Sequence, residues 1–527
     1  MSESSKSVAK SISVLSIAGI LCKVIGLLFS IPLNMISPRV AGLFYLVYPT
    51  YTLLLTVSSA GLPVAVSRMV AGFLARNDPA SAKKIFRCAL IMLLCIGAVF
   101  SLIMVLSNQL LVDTVGREDA SMGFYAIAPC VMIVCVLSAF RGLLQGQQNM
   151  VPTAVSQLIE QVGKVVLSLP LAALGLKTSV AAGAGGALLG ITLAETVALL
   201  YMVIRYFIKR KDLDSLHQDP AEKPQSGSAL LRRLVLISIP ITVSACIIPL
   251  SQFIDSAMMN KRMILAGLTA DQAIDAYGIF TSIVIRLINI PTALALAISI
   301  SLVPAISACK SRNDEAGLRR ETNSGMRYAF LIGFPCSVGM SLLARPIVEF
   351  FYGSVDKFTP EHLQLAAELL TFSAMTVVLF TAVQATSSIL QGLRKQRIPM
   401  YTMIAGVAVK IILNYVLIGT PGIDIHGGPY ASIACYSVVM IANLFFVCKY
   451  AKMPMNWMDW ILRPGLAAAA MGVAVWGLTL LLPASRISTI VEVVAGVVVY
   501  GGAALLFRAV NKEDLQSLLR RKKGKTA

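Results

Sequence analysis

Charged residues are scarce in this chain of 527 residues, and their scarcity excludes most classes of soluble protein. Only 13% of the residues are charged, whereas 57% are hydrophobic, and the mean hydropathy is +0.78. Ordinary soluble domains are about 25% charged. Apolar runs long enough to cross a bilayer, about 20 residues, recur from one end of the chain to the other. The sequence therefore predicts an all-α polytopic membrane protein.

Signatures of catalysis and of cofactor binding are also missing. The chain has no GxxxxGK[ST] motif, so no ATPase module is predicted. Its three histidines, His217, His362 and His426, lie far apart in loops, and its ten cysteines form no CxxC pair. No loop on the outer side looks long enough to hold a transferase domain. We therefore expect no enzyme activity, no catalytic residue, no cofactor and no metal site.

Fourteen membrane spans, numbered here from one to fourteen, are predicted from the apolar runs. Their approximate ranges are 10–36, 42–74, 85–112, 121–146, 152–175, 180–208, 230–258, 276–309, 325–351, 362–391, 398–419, 428–450, 458–482 and 488–508. With the N-terminus placed in the cytoplasm, 33 of the 45 basic residues fall in or beside cytoplasmic segments, 8 in or beside outer segments and 4 within spans. This asymmetry follows the positive-inside rule, so both termini are predicted to be cytoplasmic.

The net charge of +19 is spread over short loops and a basic tail. This distribution favours contact with anionic membrane lipids, and we expect no nucleic-acid partner.

Short motifs recur in the same order in the two halves of the chain. ARNDPASAKK (75–84) is matched by SRNDEAGLRR (311–320), and LLQGQQ (143–148) is matched by ILQGLR (389–394). A weaker match joins AGGA at 184 to HGGP at 426. The similar offsets of these pairs predict two parallel six-helix repeats, a transporter design. The predicted domains are a six-helix lobe at 1–210, a cytoplasmic linker at 211–229, a second six-helix lobe at 230–452, an appended helix pair at 453–508 and a basic cytoplasmic tail at 509–527.

Span five begins at Pro152 and carries polar residues along one helical face. Gln157, Glu160 and Lys164 are spaced three and four apart, with Gln161 beside them. One interpretation is a Glu160–Lys164 pair that neutralises itself. The other is that the face lines a water-filled cavity, because a polar helix face in a membrane turns to a neighbour or to water rather than to lipid.

Further charges within spans support a cavity, since a charge at mid-bilayer costs at least ~2.5–3.5 kcal/mol. Lys23 lies in the middle of span one and Arg286 in span eight, and neither has an acid within one turn. For Glu195 and Lys410 a tie between helices is an equal alternative. The candidate cavity residues are Lys23, Arg286, Asn289, Gln157, Glu160, Lys164, Asp255 and Lys410. Their slightly positive balance suits an anion, and an arginine fork suits phosphate.

Two segments resemble the multidrug/oligosaccharidyl-lipid/polysaccharide exporter superfamily, most closely its branch of stage V sporulation protein B and the bacterial lipid II flippases. They are QGQQNMVPTAVSQLIEQ (145–161) and IRLINIPTALALAISISLVPAIS (285–307). The resemblance implies an alternating-access flippase for lipid-linked sugar precursors, with Lys23 and Arg286 at basic cavity positions. It also has departures. Asn289 stands where lipid II flippases often have an acid, and residues 51–61 of span two hold no basic residue.

The expected function is export of an undecaprenyl-pyrophosphate-linked saccharide, either a peptidoglycan precursor such as lipid II or a polysaccharide unit, across the bacterial cytoplasmic membrane. Lys23 and Arg286 would hold the pyrophosphate, and Glu160 and Asp255 are the candidates for ion coupling. The resemblance adds a role in sporulation and spore cortex formation, with cell-wall synthesis proteins as candidate partners. Two alternatives remain open. A drug–cation antiporter of the same superfamily would want an acidic cavity, and a non-transporting envelope-assembly scaffold would need neither basic residue.

Overall fold

The computed structural model describes residues 21–22, 25–26, 29–214, 226–353, 358–483 and 485–510, and all regular secondary structure among them is helical. The helices are Pro38–Ser59, Leu62–Leu74, Pro79–Leu106, Asn108–Val115, Ser121–Gly146, Val151–Leu176, Val180–Asp214, Gly227–Leu265, Ala270–Gly278, Ile285–Ser311, Glu315–Leu342, Ala344–Tyr352, Pro360–Ser373, Met375–Gly392, Arg397–Ile418, Gly427–Ala451, Arg463–Leu481 and Arg486–Leu506. Short π-helical segments at Ile279–Val284 and Met458–Leu462 precede two of these helices, and 3₁₀ turns lie at Glu118–Ala120 and Asp424–His426.

The described residues contain 11 helical segments able to cross a membrane, or 13 if two bent pairs each count as one span. These 13 coincide with predicted spans two to fourteen. The bent pairs are span seven, with a 48° break between Val243 and Ala245, and span nine, with a 72° break between Leu342 and Ala344. Of span one, residues 29–36 are helical and much of the rest lies outside the described residues. The predicted all-α polytopic fold is confirmed.

The sequence repeat reappears in backbone geometry at matching positions of the two motifs. Asn77 and Asn313, the asparagines of the two Arg-Asn-Asp motifs, both adopt the left-handed conformation, with φ of 54° and 53°. The aspartate after each caps the next helix, and its carboxylate accepts a bond from the backbone N–H three residues on, at 2.9 and 2.8 Å. Gln148 and Arg394, which end the two Leu-Gln-Gly motifs, are left-handed as well, with φ of 60° and 61°. Each motif therefore ends one helix and starts the next in the same way in both halves.

Helix packing repeats with equal fidelity at the glycine of the Leu-Gln-Gly motif. A Cβ on Gly146 would lie 2.7 Å from Val70 Cβ, and a Cβ on Gly392 would lie 2.7 Å from Ile306 Cβ. Val70 and Ile306 are themselves related by the same offset as the two Arg-Asn-Asp motifs. Glycine is needed at both positions because the neighbouring helix leaves no room for a side chain, which is how membrane helices achieve close contact. The predicted pair of parallel repeats is confirmed.

The chain divides into two compact units, Met1–Ser282 and Ile283–Ala527, which are described separately. In the first unit, span seven packs along span two. In the second, Trp460 is fully buried among apolar side chains and its indole N–H donates to Asn323. The predicted domain boundaries stay predictions, because most of the linker at 211–229 and of the tail at 509–527 lies outside the described residues.

Candidate functional site

Spans five and six approach closely enough to place a span-six acid beside the polar face of span five. A Cβ on Gly190 would lie 2.4 Å from the Cα of Ser168, and a Cβ on Gly163 would lie 2.9 Å from the Cβ of Ala194. The two backbones therefore nearly touch along this seam. Glu195, which follows Ala194, is consequently buried and only 4% exposed.

An ion pair between spans four and five forms the centre of the site. The Arg141 guanidinium donates from Nη2 to Glu160 Oε2 at 3.1 Å and from Nε to Ser156 Oγ at 3.0 Å. Gln161 donates to the other oxygen of Glu160, also at 3.1 Å. Glu160 lies nine residues inside the helix, roughly 14 Å from its start at 1.5 Å per residue. The ion pair is thus fixed by neighbouring side chains well within a membrane helix.

Lys164 is held differently, by aromatic rings. Its Nζ lies 4.7 Å from the ring centre of Phe29, 4.9 Å from that of Tyr48 and 5.6 Å from that of Phe44. Three rings around one ammonium stabilise the charged form through their negative faces, and the effect is largest where water is scarce. Arg141 and Gln161 thus contact Glu160, and three rings from spans one and two surround Lys164, so each residue has partners on other parts of the chain.

Two more titratable side chains complete the cluster. The Glu195 carboxyl group lies against that of Glu160, with Arg141 and Lys164 as its other charged neighbours. Its Oε2 is buried and has no hydrogen-bond partner among the described residues. The Cys22 thiol of span one also lies within electrostatic range of Glu160 and Arg141. The first unit thus encloses two acids and two bases.

The other predicted site residues fall into three groups. Lys23 lies outside the described residues. Gln157 and Asp255 are half-buried in spans five and seven of the first unit. In the second unit, Arg286 and Lys410 are half-buried, whereas Asn289 is exposed. The structure therefore joins Glu160 and Lys164 in one cluster of the first unit.

Arg141 and the three rings were not among the predicted site residues. Arg141 is the first residue of RGLLQG, so its place near the end of span four is visible in the sequence. The rings belong to spans one and two, far earlier in the chain than Lys164, and no spacing rule links such distant positions. Within the described residues, no group of three or more His, Cys, Asp or Glu side chains could hold a metal ion.

Comparison with known protein families shows which family the chain belongs to. Residues 8–310 match the family described as "Polysaccharide biosynthesis protein", which is more than half of the chain. The chain belongs to this polysaccharide biosynthesis protein family. Residues 240–416 also match the MatE family. Both matches place the chain in the multidrug/oligosaccharidyl-lipid/polysaccharide exporter superfamily, and the resemblance inferred from the sequence is confirmed.

Two relatives align with most of the chain. It is 28% identical to "Lipid II flippase MurJ" of Bacillus subtilis (strain 168) over 97% of this chain and 96% of that protein. It is 26% identical to "Stage V sporulation protein B" of the same organism over 83% of this chain and 82% of that protein. Among solved structures, "Lipid II flippase MurJ, inward closed conformation" has a TM-score of 0.70 at 14% identity, covering 95% of this chain and 99% of that one. At that identity the structural match establishes the fold alone.

Proposed function

We propose that the chain is a flippase that moves an undecaprenyl-pyrophosphate-linked saccharide, such as lipid II, from the inner to the outer leaflet of the bacterial cytoplasmic membrane. The observation that carries this proposal is the alignment with a lipid II flippase over 97% of the chain. The family description, polysaccharide biosynthesis, supports a lipid-linked sugar as cargo. The similarity to a sporulation protein supports a role in the spore envelope.

Basic side chains within membrane helices supply the chemistry that such a cargo needs. A pyrophosphate is an anion, and an arginine can bind it through two parallel N–H donors. Arg286 in the second unit is half-buried on span eight, and we assign it to the anionic part of the cargo. Lys23 keeps the same proposed role. In the first unit, Lys164 with its surrounding rings supplies a second basic side chain within a membrane helix.

Energy for export can come from the membrane potential, because an anion moving outward runs with an inside-negative potential at about 2.3 kcal/mol per charge per 100 mV. Cation coupling remains assigned to Glu160 and Asp255. The carboxyl group of Glu195 beside Glu160 strengthens the first assignment, since paired carboxylate oxygens bind protons and hard cations. The loops on the side of the two termini carry most of the basic residues, and this asymmetry supports cytoplasmic termini.

A drug–cation antiporter is the second candidate, and the MatE match at 240–416 favours it. A cationic cargo would be repelled by Arg286 and Lys164 and would need carboxylates instead. Neutralising Arg286 should therefore leave export of a cationic drug unchanged or improved, whereas it should impair export of a pyrophosphate lipid.

The deciding experiment is lipid II translocation in reconstituted vesicles under an imposed potential. We expect Arg286→Gln to lower the rate at least ~10-fold and Arg286→Lys to lower it less, since lysine keeps the charge but loses the fork. Arg312→Gln, which removes an exposed arginine just after the same helix, is the matched control and should match the wild type. If the folded wild type moves no undecaprenyl-linked glycan, the flippase proposal is wrong.

A further inference from the structure

Spans two and seven of the first unit enclose a cavity on the cytoplasmic side of a close helix contact. The contact lies at Gly61, whose backbone N–H donates to Thr242 Oγ1 at 3.1 Å. A Cβ on Gly61 would lie 2.2 Å from the carbonyl oxygen of Ser238, so the two backbones nearly touch there. The cavity, of about 440 Å³, lies between this contact and the predicted cytoplasmic ends of the two helices.

Three of the eight residues that line this cavity are arginines, and no described acid lines it. Arg68 lies six residues before the end of its helix at Leu74, and Arg233 lies six residues after the start of its helix at Gly227. Both are therefore about 9 Å inside their helix ends, at 1.5 Å per residue. Arg76 follows the end of span two. Two helices far apart in sequence thus bring guanidinium groups to one cavity.

These arginines have no acid to neutralise them among the described residues. The side chains of Arg68 and Arg233 form no ion pair or hydrogen bond within the part of the chain that the structure describes. Arg76 is held in place, because its Nε donates to the carbonyl oxygen of Gly72 at 3.2 Å and its guanidinium lies 5.2 Å from the ring centre of Phe73. Three like charges around one cavity repel one another, so an anion between them is stabilised.

The positive-inside rule predicts basic residues at these helix ends, but it does not predict that they share a cavity. The second repeat shows that the fold can be built without this arrangement. At the offset of the two Arg-Asn-Asp motifs, Arg76 corresponds to Arg312, whereas Arg68 corresponds to Pro304. The repeat therefore preserves the arginine that follows the helix and not the arginine within it.

The remaining lining residues leave room for a ligand and give the cavity an apolar wall. Gly72 is exposed, and a Cβ added to it would meet nothing within 4 Å. Met69 and Phe73 are buried, whereas Leu236 is 62% exposed. Guanidinium groups beside an apolar wall suit an oxyanion that is carried on a larger molecule.

We propose that this cavity binds a phosphate or diphosphate group, held by Arg68, Arg76 and Arg233. Arginine binds such a group through parallel N–H donors, and lysine does not. Two sources can present it on the predicted cytoplasmic side, namely the headgroup of an inner-leaflet phospholipid and a soluble phosphate compound. The site uses neither Arg286 nor Lys164 and does not rest on the flippase proposal.

The experiment is a binding titration of the purified, delipidated full chain in detergent micelles at constant ionic strength. One arm compares phosphatidylglycerol with diacylglycerol of the same acyl chains, which lacks the phosphate, and the other uses inorganic pyrophosphate. A lipid source predicts that phosphatidylglycerol binds at least ~10-fold more tightly than diacylglycerol, the ratio for one charge-assisted hydrogen bond. A soluble source predicts saturable binding of pyrophosphate. If the wild type shows neither result, the proposal is wrong.

Charge variants locate the bound phosphate. Arg68→Gln and Arg233→Gln should each weaken binding of the active probe about 10-fold. Both residues are exposed, so these variants should fold. Arg312→Gln, at the second-repeat counterpart of Arg76, removes the same charge and should bind like the wild type. An equal loss in Arg312→Gln and Arg68→Gln would show attraction by overall charge alone and would overturn the site.

A variant that keeps every charge tests the cavity itself. Gly72→Leu fills the space beside the arginines and favours the helix, since leucine has the higher helix propensity. We expect it to weaken binding as much as Arg68→Gln does. Gly501→Leu, at an exposed helical glycine whose added Cβ also meets nothing within 4 Å, is the matched control. Wild-type affinity in Gly72→Leu would overturn the proposal. Translocation is not measured, so failure of the flippase proposal would leave these results unchanged.

Discussion

The two repeats join equivalent helices through different side chains. A charged side chain connects spans four and five of the first unit, whereas uncharged side chains connect spans ten and eleven of the second. The offset that relates the two Leu-Gln-Gly motifs pairs Arg141 with Ser387 and Ser156 with Thr402. In the first unit Arg141 bonds Ser156 directly. In the second, Asn443 of span twelve bridges the two hydroxyls, accepting from Thr402 at 2.7 Å and donating to Ser387 at 3.2 Å. The contact between the two helices thus involves a charged side chain in the first repeat and only uncharged side chains in the second; we call these the charged tie and the neutral tie.

The contrast is sharper one turn further along the helix. Glu160 corresponds to Gly406, where an added Cβ would lie 2.4 Å from Val439 Cγ2 and 3.0 Å from the carbonyl oxygen of Cys435. In the second repeat, closely packed helices therefore occupy the space that holds the Glu160 carboxylate in the first. The second repeat thus builds the same framework without these charges, which supports a role for Arg141, Glu160 and Glu195 in the proposed transport.

The largest effect on stability should follow from Gly406→Glu, which places the glutamate of the first unit at the equivalent position of the second. Gly406→Glu forces a side chain into Val439 and buries a carboxylate with no cation at the equivalent of Arg141. We expect a loss of at least ~4 kcal/mol, from steric overlap and the burial of a carboxylate together. The measurement is the yield of monodisperse protein and its melting temperature. Gly477→Ala, at a glycine whose added Cβ would meet nothing within 4 Å, is the control for helix glycines in general.

The converse change, Arg141→Ser, gives the first unit the side chain that the second unit has at the equivalent position, Ser387. Arg141→Ser leaves the Glu160 carboxylate without its cation, and we expect a loss of about 3 kcal/mol, at the lower end for a buried pair because the Glu160 side chain is 24% exposed. The double variant Arg141→Ser/Glu160→Gln should recover most of that stability but not transport. Thermal unfolding and lipid II translocation of the wild type, both single variants and the double variant form the cycle. Additive losses would mean that the ion pair contributes nothing.

Much of this fold was predictable from the sequence, because the membrane requires long apolar helices and the repeat shows itself in short motifs. Spans two to fourteen and the parallel repeats follow from those two signals. The polar face of span five was also visible, but the partners on it were not. The spacing of Glu160 and Lys164 suggests a local pair, whereas Arg141 reaches the carboxylate from another helix. Close packing at Gly190 and Gly163 places Glu195 beside Glu160. This is a tertiary contact, which the helical periodicity of the sequence does not predict.

The ring cage of Lys164 should contribute less than the ion pair but more than an exposed cation–π contact. Lys164→Met preserves the packing of the stem and removes the ammonium, and we expect a loss of about 2 kcal/mol from the desolvated three-ring site. Lys395, exposed with its Nζ 4.9 Å from the ring centre of Tyr450, is the matched control, and Lys395→Met should cost about 0.5 kcal/mol. Equal melting temperatures for the two variants would contradict a stabilising cage.

The smallest effect should come from the neutral tie of the second unit. Thr402→Val removes the 2.7 Å bond to Asn443 Oδ1 without changing charge, and we expect a loss of about 1 kcal/mol, the usual net value of one hydrogen bond. Ser156→Ala, its first-unit counterpart, should cost a similar amount of stability yet slow translocation more, because it loosens Arg141 and through it Glu160. Stability and transport should therefore separate between the two repeats. If Thr402→Val slows translocation as much as Ser156→Ala does, both repeats carry the function, and the charge of the first is not what distinguishes it.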